Sequence, residues 1–274
     1  MMEKQRKTAL VTGAAGSLGS AACRALADCG YCVYAADLDG ADIAGAASCR
    51  LDVTDEQSAL RLFDRIEREA GGLDLLLHMA GVFTMDAFSE CGQELPERMI
   101  NVNLLGVMRL DRVMLPLIMR RGGRVIITAS ELAVLDPLPF NGLYSVSKRA
   151  LDAYAHSLAL ELDLVGVRVI TLYPGAYGGG MTRASLDAME RMREKTRLFR
   201  DVTGRFRSIM LSETGGAKPA RELAAKIVRI AQKKHPRFRY FMNNSLKLRL
   251  FSALPMGLQA LCLRALLTGR LKRR

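Results

Sequence analysis

Through most of the chain, short apolar runs alternate with longer stretches in which apolar residues recur every third or fourth position. The runs at 8 to 12, 31 to 36, 48 to 51, 73 to 78, 124 to 129, 167 to 172 and 238 to 242 predict seven strands. Helical spacing fills most of the intervals between them. The longest example places Leu151, Tyr154, Ala155, Leu158 and Leu162 on one face and stops at Gly166. Between Leu38 and Ser48 the segment is too short and too glycine-rich for a helix, so that crossover is predicted to be a loop. Strands separated by helices predict an α/β fold, with a doubly wound parallel sheet covered by helices on both faces. No change of composition marks a second domain.

The first strand runs into KTALVTGAAGSLGSAACRALADCG, which reads as strand, glycine turn, helix. Gly13, Gly16 and Gly19 would let the backbone turn tightly and approach a diphosphate, and the helix N-terminus would offer its unpaired amides to that anion. The second strand ends in Asp37, where a carboxylate would accept from ribose hydroxyls and repel a 2′-phosphate. Leu38 follows, not an arginine. This Rossmann-like start therefore favours NAD(H) over NADP(H). Farther on, YSVSK places Tyr144 and Lys148 one helical turn apart on one face. A phenol titrates near ~10, and a cation beside it favours the phenolate, which would make it a usable acid or base. Taken alone, the pair is equally an ordinary surface Tyr and Lys on an amphipathic helix.

Several motifs in order give the pair its context: TGAAGSLG, LDVTD at 51 to 55, HMAG at 78 to 81, NVNLLG at 101 to 106, ITAS at 127 to 130 and YPG at 173 to 175. Together they resemble the short-chain dehydrogenase/reductases over about the first 240 residues. The resemblance implies a cofactor site built from Gly13, Ser17, Leu18, Gly19, Asp37, Asp52, Val53, Ala80, Gly81, Tyr144, Lys148, Pro174 and Gly175. It also implies that Tyr144 exchanges the proton and that Lys148 lowers the Tyr144 pKa and holds the nicotinamide ribose. Ser130 would donate to the substrate oxygen, and Asn103 would hold a water leading from Lys148 to solvent. Three departures stand out. Ser17 occupies the usual place of the middle glycine, His78 and Met79 replace two asparagines and so remove a strand-bracing amide, and AYGGGMT delays Thr182, the candidate for the nicotinamide amide. Residues 138 to 162 are similar to hydroxysteroid and retinol dehydrogenases. That similarity implies a bulky hydrophobic substrate, a secondary alcohol or ketone. Residues 176 to 218, rich in Met, Phe and Arg, stand where a lid over such a substrate would lie, and their apolar residues equally suit ordinary core. A sugar-nucleotide epimerase or dehydratase would share the glycine spacing but usually carries a larger C-terminal domain. A non-catalytic NAD-binding protein would typically lack the Tyr or Lys.

Composition adds one surprise. At 274 residues and 50% apolar, the chain can bury one large core. MMEKQRK carries no apolar leader, and no stretch of ~18 apolar residues would span a bilayer, so a cytoplasmic protein is expected. The three histidines have no metal spacing, and Cys29 and Cys32 read as small core residues. Residues 191 to 274, however, carry 22 Lys and Arg against 4 Asp and Glu, more than the whole net charge of +12. The division expected is a catalytic domain at 1 to 245 and a basic amphipathic extension at 246 to 274, Leu-rich and suited either to peripheral membrane contact or to a partner subunit. Aromatics are few and no recognition module is present, so nucleic acid is not expected. The helical stretches at 95 to 119 and 147 to 165 correspond to the family's pairing helices, implying a homodimer or homotetramer.

Overall fold

The structure, a computed structural model, describes residues 6–214 and 216–269, except for the side chains of 181, 182 and 212–214. Seven strands form one parallel sheet in the order β3-β2-β1-β4-β5-β6-β7. They are β1 (Thr8–Thr12), β2 (Cys32–Asp37), β3 (Ala46–Arg50), β4 (Leu75–His78), β5 (Arg124–Thr128), β6 (Arg168–Pro174) and β7 (Arg239–Met242). The order reverses between β1 and β4, which opens the crevice where ligands of doubly wound sheets bind. The segment between β2 and β3 is a loop, as its length predicted.

Side-chain alternation along the strands divides the core in two. On one face Leu10, Tyr34, Leu76 and Ile127 pack beneath α2 (Glu56–Ala70), α4 (Gly106–Arg121) and α5 (Gly142–Asp163). On the other, Ala9, Val11, Leu77 and Ile170 meet α1 (Ser17–Asp28) and α8 (Ala220–Gln232). Leu76 is fully buried, and truncating such a leucine to alanine costs about 2–5 kcal/mol. Local chemistry sets the helix ends. Asp55 caps α2 by accepting from the amides of Gln57 and Ser58, and Gly71 ends it in the left-handed region at φ 70°.

Three segments, carrying five helices between them, lie over the sheet's C-terminal edge. The short α3 (Glu94–Ile100) runs through a π-turn at Asn101–Leu105 into α4. Helices α6 (Gly180–Lys195) and α7 (Arg200–Thr214) occupy the segment expected to be a lid. The C-terminal extension folds back as α9 (Leu246–Ser252) and α10 (Met256–Thr268), with residues 270–274 outside the described part. It is pinned to the body: the Asp136 amide donates to Ser252 Oγ (2.9 Å), and Gln259 Nε2 donates to Asp136 Oδ2 (2.7 Å). Cys29 is not a core residue. It is exposed at the C-cap of α1, while Cys32 is half-buried, and both are free thiols.

Candidate active site

The C-terminal ends of β1, β2, β4, β5 and β6 open onto one cavity of about 2440 Å³. A drug-sized ligand fills roughly 300–1,000 Å³, so this space has room for two bound molecules. Every residue assigned above to catalysis or to the cofactor lines it, except Asn103. The side chain of Thr182 lies outside the described residues.

One end of the cavity is shaped by backbone. Gly13 adopts φ 66°, and a Cβ there would lie 2.6 Å from the Ala80 amide nitrogen; a Cβ on Gly19 would lie 2.1 Å from Gly13 O. Only glycine lets turn, helix and β4 meet this closely. The N-cap of α1 is Gly16, which has no side chain to cap with, so among the described residues the first amides of that helix keep their capacity for an anion. Ser17 stands in this first turn, and its Oγ accepts from the Gly180 amide (3.3 Å), tying the start of α6 to the glycine loop. Asp37 accepts from the amides of Ala15 and Leu38, both at 2.9 Å, and each carboxylate oxygen retains lone pairs for hydroxyl donors. Asp52 is held by Thr54, whose amide and hydroxyl donate to Oδ1 at 2.8 and 2.7 Å. These residues fit a nicotinamide dinucleotide: uncapped amides for its diphosphate, a carboxylate for its adenosine ribose, and Tyr144 and Lys148 at the far end.

Substitution of the two asparagines has been made good by other groups. His78 Nε2 lies 2.8 Å from Asp111 Oδ1, buried between β4 and α4, and Tyr154 OH donates to Asp111 Oδ2 (2.9 Å). The Thr12 hydroxyl accepts from the amides of Met79 and Ala80. Asn103, fully buried at the π-turn, accepts from the Val82 amide (2.8 Å) and donates to Val82 O (2.9 Å) and Ser147 Oγ (3.0 Å). Ser147 Oγ in turn donates to Tyr144 O (2.8 Å). The chain so formed fixes the first turn of α5 relative to the loop after β4.

Tyr144 and Lys148 are both buried, at 5% and 4% exposure. Burial pushes the Tyr144 phenol up to about 12, with a Ser130 side-chain hydrogen bond pulling the other way. Burial draws the Lys148 ammonium down to about 8. Lys148 Nζ donates to Thr128 O (2.9 Å) and lies 5.8 Å from the Tyr144 ring centre, so in this geometry the downward pull on the phenol comes from Ser130.

Beyond Tyr144 the walls turn apolar, with Phe83, Met85, Met99, Met192, Phe206 and Met210. Phe83 packs on the Tyr144 ring, centroids 4.9 Å apart. Helix α6 is latched over this end by an ion pair from Lys195 to the buried Asp86 (2.5 Å). A second latch is Glu90, which accepts from Thr196 Oγ1 (2.5 Å) and from the amides of Arg197 and Leu198. The Thr196 hydroxyl, with those amides, holds the Glu90 carboxyl below its ordinary range. Sequence reasoning missed Phe83, Asp86 and Glu90. Asp86 and Lys195 stand 109 positions apart, and no local periodicity links them.

Comparison with known proteins agrees with this geometry. The chain is 28% identical to a 3-ketodihydrosphingosine reductase of Bacteroides thetaiotaomicron over 240 residues, 86% of this chain and 87% of that one. It is 27% identical to a probable short-chain type dehydrogenase/reductase of Helicobacter pylori, covering 96% of this chain and 98% of that one. The fold matches the ligand-free aldohexose dehydrogenase of Thermoplasma acidophilum with a TM-score of 0.75 at 19% identity, over 92% of this chain and 97% of that one. The short chain dehydrogenase family model matches residues 7–190, and the chain belongs to that family of nicotinamide-dependent oxidoreductases.

Proposed function

We propose that the protein interconverts a secondary alcohol and a ketone on a bulky hydrophobic molecule of hydroxysteroid or long-chain lipid type, with NAD(H) preferred. The observation that carries this reading is the Ser130–Tyr144 pair at the junction of a glycine-built cradle and an apolar chamber. The name of the Bacteroides relative, a reductase of a 3-keto lipid base, supports the lipophilic class. Asp37 followed by exposed Leu38 supports NAD(H).

When bound, the nicotinamide supplies or accepts a hydride. Ser130 holds the substrate oxygen, and Tyr144 gives that oxygen its proton in the reductive direction. With its phenol raised to about 12, Tyr144 carries its proton across the physiological range and can give it to the substrate oxygen. Lys148, cationic below about 8, would hold the nicotinamide ribose, as the family resemblance implies. Asn103 keeps α5 in register with the loop that carries Gly81.

Two surfaces complete the reading. Leu105, Met108 and Met119 near and on α4, with Leu160 and Leu164 at the far end of α5, are exposed, as a self-pairing face in a homodimer or homotetramer would be. Leu246, Leu250 and Met256, at 67%, 63% and 84% exposure beside Lys247 and Arg249, suit an anionic membrane surface. No helix among the described residues is long and apolar enough to cross a membrane.

The test is NADH oxidation over a panel of steroids, retinoids, aliphatic ketones and long-chain 3-ketones. Activity confined to short polar ketones would refute the chamber's role. A native preference for NADPH would refute the cofactor assignment, and Asp37→Ala with Leu38→Arg should narrow the NADH preference. Sedimentation at micromolar concentration reads the oligomer. Leu250→Glu with Met256→Glu should abolish co-sedimentation with anionic vesicles if the α9–α10 turn meets lipid.

A further inference from the structure

Segment 130–136, which leads from β5 toward α5, begins with Ser130, and the C-terminal part of the chain grips it at both ends. Ser252 and Gln259 bind Asp136. At the other end Glu131 carries a buried carboxylate, and its Oε2 accepts from the Ser245 amide at 2.8 Å, across 114 positions of sequence. Ser245 is the N-cap of α9. A carboxylate out of water is costly unless it is hydrogen-bonded, so a glutamate in this place depends on what the backbone offers it. That backbone is closely fixed. Asn243 turns the chain at φ 53°, its Nδ2 donates to Ala176 O (2.6 Å), and its carbonyl lies so near Gly175 that a Cβ there would meet it at 2.1 Å. The same Cβ would lie 3.0 Å from Glu131 Oε1, so the carboxylate packs against the exit of β6 as well as the start of α9. Glu131, Ser245 and Leu248 line the cavity that Ser130 also lines.

We propose that Glu131 is a positioning residue whose bond to the Ser245 amide makes the start of the C-terminal extension part of the catalytic turn and fixes where Ser130 presents its hydroxyl. This rests on the oxidoreductase reading above and concerns how that same site is held. The path from Glu131 to Ser130 is one turn of chain. Ser130 Oγ accepts from the Leu132 amide (3.2 Å), Ser130 O from the Ala133 amide (3.0 Å), and Glu131 O from the amides of Val134 and Leu135, both at 3.2 Å. A single 3-10 turn is marginal by itself, so its place depends on its anchors. Because Ser130 Oγ spends a lone pair on the Leu132 amide, its proton is left for Tyr144 or for the substrate oxygen. Release of Glu131 from Ser245 would let that turn shift, and a misplacement of about 1 Å at a catalytic group can cost ~10²-fold in rate. Gly175 keeps its own bond to Met242 O (2.8 Å), so the cofactor end should feel little of it.

The test removes the bond from each side in the full chain. Ser245→Pro deletes the donating amide and fits the backbone, since Ser245 has φ −70° and prolines already hold the N-caps of α8 and α10 at Pro219 and Pro255. Ser245→Ala keeps the amide and deletes only the hydroxyl that accepts from the Leu248 amide. With a ketone of the panel that is turned over, Ser245→Pro and Glu131→Ala should each lower kcat roughly 10- to 100-fold, with NADH affinity within about threefold of wild type. Ser245→Ala should lose far less than Ser245→Pro, and Glu131→Gln, which keeps an acceptor, should recover most of what Glu131→Ala loses. Joining Glu131→Ala with Ser245→Pro should cost no more than the larger single loss, because both remove one bond. Losses that multiply in the double variant overturn the proposal, and so do losses of kcat matched in NADH affinity, which would mark a purely structural residue. Amide hydrogen exchange at 132–135 reads the turn without substrate: it should be faster in Ser245→Pro than in Ser245→Ala. If wild type oxidises NADH with no ketone of the panel, the oxidoreductase reading is what fails; exchange then decides on the anchor alone, and equal rates in the two Ser245 variants overturn it.

Discussion

The two ends of the one cavity are held by different means. At the cofactor end the close contacts are backbone on backbone: Gly19 beneath Gly13 O, Gly13 against the Ala80 amide, and Gly175 so near Asn243 O that a Cβ would lie 2.1 Å from it. At the substrate end they are side chain on side chain: Lys195 on Asp86, Thr196 on Glu90, Phe140 between Phe199 and Phe206. A backbone contact tolerates no added atom, whereas a side-chain latch can be exchanged residue by residue. The first end is therefore intolerant of substitution, whereas the second can be retuned on an unchanged sheet.

Tyr144 stands where the two ends meet, so its loss should spare both and still stop the reaction. Tyr144→Phe should lower kcat by ~10²-fold or more while NADH affinity changes little, as expected when a general acid is removed. Stopped-flow turnover with equilibrium NADH binding checks both halves of the statement, and turnover within a few-fold of wild type would break it. Next in size, Gly19→Ala should weaken NADH binding roughly tenfold or more, because the added carbon cannot be accommodated without moving the glycine turn, a strain typical of overpacking. The lid should not feel it, so limited proteolysis within 176 to 218 should be unchanged.

Lys195→Met gives the complementary result. It removes the cation from a carboxylate that is 3% exposed, although Asp86 Oδ1 still accepts from the Ala87 amide (2.9 Å). Lys195 is itself half-exposed, so solvent screens part of the pair and the effect is moderate. KM for the ketone should rise roughly fivefold and proteolysis of the lid should quicken, with NADH affinity unchanged. A change in NADH affinity matching that in KM would show that the two ends are not independent.

The same division explains what could be read in the sequence. The glycine turn, Asp37, Ser130 and the Tyr144–Lys148 pair lie in contiguous motifs whose spacing reflects strand-turn-helix geometry, and all of them line the cavity. All seven strands were legible from their apolar runs, with ends shifted by a few residues. The role of His78 was not. The loss of an asparagine is visible in HMAG, but its replacement by a bond to Asp111, 33 positions away and on another element, leaves no local mark.

The smallest expected effect separates function from stability at one residue of the junction. Burial draws Lys148 from its ordinary value of 10.5 down to about 8, so the folded protein holds that proton less tightly than the unfolded chain. Between those two values the unfolded state binds more protons, and the stability of the native protein gains as pH rises through that window. Below about 8 the folded protein carries a buried ammonium whose hydration is replaced only in part, by Thr128 O. Lys148→Met removes that cost and leaves Thr128 O without its donor, two changes of opposite sign, only the first of which depends on pH. The variant's Tm relative to wild type should therefore be more favourable at pH 7 than at pH 10, by a few degrees, since 1 kcal/mol moves Tm by about 2–4 °C in a domain of this size. Thermal unfolding at the two pH values, followed by circular dichroism, measures the difference. A difference that does not change with pH would mean that Lys148 reaches solvent well enough to titrate normally, and the buried junction between the two ends of the cavity would have to be redrawn as an open one.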